Sequence, residues 1–126
     1  MRGPHGVRFE AHRPVVMGRH GMVAAGHPLA SLAGATVLRA GGNAVDAAIA
    51  VAAALNVVEP HMSGVGGDGF LMVYDRRQDS VQVVNATGAA PLAATREVYR
   101  EGIPLKGIRS CSVPGLVDGW LQAHAR

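Results

Sequence analysis

The chain has 126 residues, room for one domain with a core but not for two. Its 48% hydrophobic and 17% charged residues are the balance of a soluble globular protein, and 4% aromatic content means a core of small side chains such as Ala and Val. The net charge of +3 lies wholly in residues 1–20, where Arg2, Arg8, Arg13 and Arg19 stand against Glu10. This is expected to be a flexible, solvated leader, which argues against nucleic-acid binding.

The leader's longest apolar run is residues 15–17, short of the roughly 7 to 15 residues that a secretory signal needs. The longest apolar run of the chain, residues 47–55, is far below the roughly 20 that cross a bilayer. Cys111 is the single cysteine, so no internal disulfide can form. A cytoplasmic protein that binds neither membrane nor nucleic acid is the expectation.

Residues 22–25 (MVAA), a brief apolar run between Gly21 and Gly26, predict a short buried strand. Leu29, Leu32, Ala33, Val37 and Leu38 then recur at helical spacing, with Pro28 suited to a first turn and Gly41-Gly42 to a helix end at positive φ. They predict a helix from 28 to about 40. Asn43, followed three residues on by Asp46, reads as an N-cap for a second helix from 44 to about 57. That helix, AVDAAIAVAAALNVV, is apolar on nearly every face and calls for neighbours on all sides, more than a chain this short supplies.

Residues 70–74 (FLMVY) and 81–84 (VQVV) predict two strands of a hairpin closed by the polar stretch between them. Beyond a loop over 85–90, Thr95 is placed to cap a short helix through Arg100. Ser112, Pro114 and Gly115 introduce a last helix with Leu116, Val117, Trp120 and Leu121 as its apolar face, and no capping signal ends it before Arg126. Two helices followed by a hairpin favour an α+β fold over a regularly alternating one.

The stretch EPHMSGVGGDGF contains Gly64, Gly66 and Gly69 in the spacing G-x-G-x-x-G. A dinucleotide loop leaves a strand and opens a helix, so that amides and dipole face the pyrophosphate. Here a helix precedes and a strand follows, and Asp68 adds negative charge. Four glycines in six positions instead suit a loop that brings backbones close together or lines a pocket.

Cys111 has no base beside it in sequence and reads as a packing residue. The six histidines show neither i, i+4 pairing nor cysteine companions, so no metal is expected; His61, beside the glycine loop, is assigned a hydrogen-bonded structural role. Thr36 falls mid-helix, Thr87 in a loop and Thr95 at a cap, none with a partner that would make it a nucleophile.

The segments MVAAGHPLAS, GGNAVDAAIA, VVEPHMSGVGGDGFLMVYD, AAPLAAT and SVPGLVDGW, in this order from Gly21 to the end, resemble the γ-glutamyltranspeptidase family. The resemblance implies an N-terminal-nucleophile hydrolase with a four-layer αββα architecture, made as a precursor that cuts itself into a large and a small subunit. It implies that residues 21–126 match the N-terminal part of the large subunit, as an incomplete domain. The nucleophile would be the threonine freed at the start of the small subunit, its own α-amino group acting as base. That threonine lies outside this chain, so no residue here is assigned catalysis. The isolated piece is expected to be inert, with the remainder of the large subunit and the small subunit as its partners and no cofactor.

The resemblance also implies a substrate site. Typical members carry an arginine four residues before the proline of AAP, where its guanidinium binds the α-carboxylate of a γ-glutamyl group. Here that position is Thr87, and the position two residues later, which carries the arginine in a divergent branch, is Ala89. Losing a buried clamp would cost on the order of 2 to 4 kcal/mol. The resemblance implies a small γ-glutamyl (glutathione-type) amide as substrate, and the missing clamp makes a related amide of the kind acylase-like members take an equal expectation. The alternative from another class is a binding or scaffold domain that kept the architecture and lost catalysis.

Overall fold

The computed structural model describes residues 14–125; the leader's Arg2, Arg8, Arg13 and Glu10 lie outside the described residues. The element order is α1 (Pro28–Arg39), α2 (Ala44–Val58), β1 (Phe70–Asp75), β2 (Ser80–Asn85), a single 3-10 turn (Ile108–Ser110) and α3 (Leu116–His124).

Helix α1 begins at Pro28, its Leu29 amide donating to Nδ1 of His27, a cap that the sequence pattern did not disclose. It ends where Gly41 takes φ 95°, and the Gly42 amide returns to the carbonyl of Val37 at 3.0 Å. Asn43 then starts α2 as expected. Its Oδ1 accepts from the amides of Val45 (2.7 Å) and Asp46 (3.0 Å), while Oδ2 of Asp46 accepts from the Asn43 amide (2.9 Å). Asn43→Ala leaves two of these donors without their acceptor. It is expected to lower the stability of the full-length protein by about 1 kcal/mol, read as a fall in Tm, whereas Asn43→Ser restores most of the loss.

Helices α1 and α2 pack closely because α1 presents Ala30, which is wholly buried, and Gly34. A Cβ on Gly34 would stand 2.6 Å from Cγ2 of Val51, 3.0 Å from Cγ1 of Val23 and 3.1 Å from the carbonyl of Ala47. The 22–25 stretch is thus not the strand that its composition predicts. Val23 and Ala25 lie half-buried while Met22 and Ala24 face outward, and no strand pairs with the segment among the described residues. A short apolar run fits a groove between helices as well as a sheet, and here the groove takes it.

β1 and β2 form the predicted antiparallel hairpin, one residue longer at the turn end because Asp75 pairs with Ser80. Residues 76–79 make the turn, with Asp79 at φ 47° and the Tyr74 hydroxyl donating to Asp79 Oδ1 at 2.8 Å. That bond holds the Tyr74 phenol above the ordinary tyrosine range. The strand alternation gives the hairpin two faces. Leu71, Val73, Gln82 and Val84 are half-buried or buried on one; Phe70, Met72, Tyr74, Val81 and Val83 are exposed on the other.

Helix α3 closes the covered face, with Leu116, Gly119 and Ala123 buried and Trp120 half-buried. This corrects the predicted face, since Val117 and Leu121 are exposed. Glycine at 119 lets the helix backbone settle against Ala86, just past β2, which leaves Val117 and Leu121 on the outward side. The short helix predicted after Thr95 is also absent. Residues 96–101 are turns, with one helix-like bond from the Tyr99 amide to the Thr95 carbonyl at 3.3 Å and Gly102 ending the run at φ 95°. Helix α2, expected to need neighbours all round, fully buries only Ala47, and Ala44, Ala48, Ala53 and Val57 are exposed.

Candidate functional site

The glycine loop, the end of β2 and the start of α3 meet at one point. The loop is anchored to α2 by Ser63, whose hydroxyl donates to Asn56 Oδ1, and by the Glu59 carbonyl, which accepts from the amides of Met62 and Ser63. Its carbonyls then reach both neighbours. That of Gly67 accepts from the amides of Gly115 (3.0 Å) and Leu116 (3.1 Å), and that of Gly69 from the amide of Ala86 (2.9 Å). The loop therefore does lie at a helix N-terminus, that of α3, but the first amides there are already satisfied by the loop's own backbone. Gly64 and Gly66 have open space around them, so the close approaches fall on Gly67 and Gly69, as a backbone-packing loop requires.

The segment after β2 carries the substrate position that the resemblance assigned. Asn85 Oδ1 accepts from both the amide (3.0 Å) and the hydroxyl (2.6 Å) of Thr87, a local turn that places Thr87 and Ala89 on the exposed side. Ala86 and Gly88 point the other way, into the fold. A Cβ on Gly88 would lie 2.1 Å from the carbonyl of Val113, and one on Gly115 would lie 2.4 Å from the carbonyl of Ala86. Two chain segments distant in sequence, 86–88 and 113–115, are thus in backbone contact. Thr87 and Ala89 project from a seam that cannot shift without breaking that contact.

Beside the seam lies a cleft of about 490 Å³, lined by Gly88, Pro91, Arg96, Tyr99, Arg109 and Cys111 among others. The Tyr99 hydroxyl donates to the carbonyl of Arg109 at 3.2 Å, and the Ser110 hydroxyl to that of Gly107 at 2.7 Å. Arg96 and Arg109 had no local sequence signal; only their shared cleft singles them out. The Thr95 hydroxyl bonds the carboxylate of Glu97, and with a backbone bond it holds that group below the ordinary carboxylate range.

Two assignments from sequence are corrected here. Cys111 does not pack: it is exposed, its Sγ 3.6 Å from the carbonyl of Gly107, because the 3-10 turn holds it at the surface. His61 is exposed and its ring has no hydrogen-bond partner among the described residues, since the loop is held by Ser63 and Glu59 instead. Thr36 is mid-helix, donating to the Leu32 carbonyl at 2.8 Å. Among the described residues no three His, Cys, Asp or Glu side chains gather as metal ligands, and no helix is long and apolar enough to cross a membrane.

A family model described as Gamma-glutamyltranspeptidase matches residues 30–126. The glutathione hydrolase proenzyme of Bacillus subtilis is 43% identical over 124 residues, covering 91% of this chain and 21% of that protein. The oxamate amidohydrolase proenzyme of Klebsiella pneumoniae is 44% identical over 107 residues, covering 82% and 20%. The crystal structure of a cephalosporin acylase from Bacillus halodurans superposes with a TM-score of 0.84 at 38% identity, over 99% of this chain and 24% of that one. The chain spans about a fifth of the length of the curated relatives it matches. Its α+β arrangement is a segment of the fold those proteins share, and the chain belongs to the γ-glutamyltranspeptidase family.

Proposed function

We propose that this chain is the opening part of the large subunit of a γ-glutamyltransferase-like enzyme that hydrolyses or transfers small amides. The observation that carries the reading is the family match over residues 30–126, at about a fifth of the length of relatives that are themselves proenzymes. The nucleophile is a threonine at the N-terminus of a second subunit. Its hydroxyl attacks the amide carbonyl, its α-amino group takes the proton and passes it to the departing amine, and water or an acceptor amine resolves the acyl-enzyme. Residues 21–126 supply structure and part of the substrate site, and residues 1–20 act as a leader outside it.

The neutral side chains at Thr87 and Ala89 set the substrate range. Relatives are named for glutathione, oxamate and cephalosporin chemistry, so the family fold serves more than one amide. The same neutral pair favours a second reading, a scaffold that lost catalysis. Expressing the full-length precursor separates the two. The enzyme reading expects two chains, the smaller with threonine at its N-terminus by mass spectrometry, and amine release from an amide substrate. A precursor that stays in one piece and releases no amine supports the scaffold.

A further inference from the structure

Helix α2 ends on a carboxylate that nothing among the described residues answers. Glu59 is the C-cap, half-buried at the end where the helix dipole is negative, and the last turn of α2 holds no basic residue. Its side chain lies against the turn that enters α1, since a Cβ on Gly26 would stand 3.0 Å from Oε1 and 3.2 Å from Oε2. Gly26 thus keeps water from one side of the carboxylate without giving it a hydrogen bond, and among the described residues no cation pairs with Glu59. One turn earlier Asn56 is also incomplete. Its Oδ1 accepts from the Ser63 hydroxyl, but its Nδ2 is buried with no acceptor. Desolvation without a partner disfavours a charged group, and here the dipole adds to it. A glutamine would fill the same space without either penalty.

We propose that Glu59 receives a lysine or arginine side chain from the remainder of the precursor, an ion pair that fixes the end of α2 in the whole protein. This rests on the reading above only for the existence of a longer precursor, and it needs no catalysis. Charge complementarity selects the partner, because a cation offsets the dipole and the lost hydration together. Any segment that carries the cation also brings backbone carbonyls, the kind of acceptor that Asn56 Nδ2 lacks. The pair bears on the candidate site through the backbone. The Glu59 carbonyl accepts from the Met62 and Ser63 amides, so holding Glu59 holds the start of the glycine loop.

The test is the order of melting of the unmutated full-length protein and two variants. Glu59→Gln keeps the shape and removes the charge, and Glu59→Lys reverses it. With a cation opposite, Tm falls by about 2 °C or more in Glu59→Gln and further in Glu59→Lys. With none, the order is reversed, because a helix C-terminus favours a cation over a neutral group and a carboxylate least. A Glu59→Gln protein that melts at or above the unmutated one overturns the pair, and so does Glu59→Lys at or above Glu59→Gln. The same comparison in protein lacking residues 1–13, which carry Arg2, Arg8 and Arg13, assigns the source of the cation. An order kept there upholds the remainder of the precursor, and an order lost there overturns that assignment. Mass spectrometry of the same samples scores cleavage into two chains, so a precursor that stays in one piece fails the enzyme reading while the melting order still decides the pair.

Discussion

Replacing Gly119 with alanine is expected to destabilise the full-length protein by about 2 kcal/mol, although the same change inside most helices stabilises by about 1 kcal/mol. The reason is the contact beneath it. A Cβ there would stand 2.2 Å from that of Ala86, which is 5% exposed and sits just past β2. Neither atom can rotate away, because a Cβ position is fixed by the backbone. Helix α3 would have to lift off the hairpin, and its first turn would pull on the hydrogen bonds that the Gly115 and Leu116 amides donate to the Gly67 carbonyl. Overpacking of this kind costs about 1 to 3 kcal/mol and outweighs the gain in helix propensity. Gly64→Ala is the control. Nothing lies within 4 Å of its Cβ and its φ is not positive, so the change should stay within about 0.5 kcal/mol. Differential scanning calorimetry of the two variants checks the contrast. An unchanged or raised Tm for Gly119→Ala would show that α3 does not bear on Ala86.

The parts of the fold legible in the sequence were those whose partners lie within a few residues. The Asn43 cap with Asp46, the Gly41 stop and the alternation of the hairpin each encode their own geometry. Features decided by distant contacts were not. The 22–25 run lies against the groove at Gly34 rather than in a sheet, and the buried stripe of α3 follows Gly119 rather than Val117 and Leu121. The glycine loop shows both sides. Its direction, helix first and strand after, told against a phosphate cradle, but the bond from Gly67 to the start of α3 joins segments that no local pattern links. The cleft that Arg96 and Arg109 share with Gly88 was invisible for the same reason, since it is lined from separate stretches of chain.

Thr87→Arg is expected to raise kcat/KM of the full-length precursor for γ-glutamyl-p-nitroanilide by about tenfold, with no gain for its α-carboxamide counterpart. The local geometry permits the change. Thr87 is exposed, so a long side chain meets no core, and the hydrogen bond from its backbone N–H to Asn85 Oδ1 that shapes the turn survives loss of the hydroxyl. The neighbouring Gly88 remains locked against Val113, so the new guanidinium starts from a fixed backbone rather than a wandering loop. A pre-positioned donor loses less freedom on binding, which is what allows one charge to count. The gain should be confined to substrates with the α-carboxylate, since an arginine that merely stabilised the fold would speed the carboxamide equally. Equal effects on both substrates, or none on either, would place the carboxylate elsewhere and remove Thr87 from the substrate site.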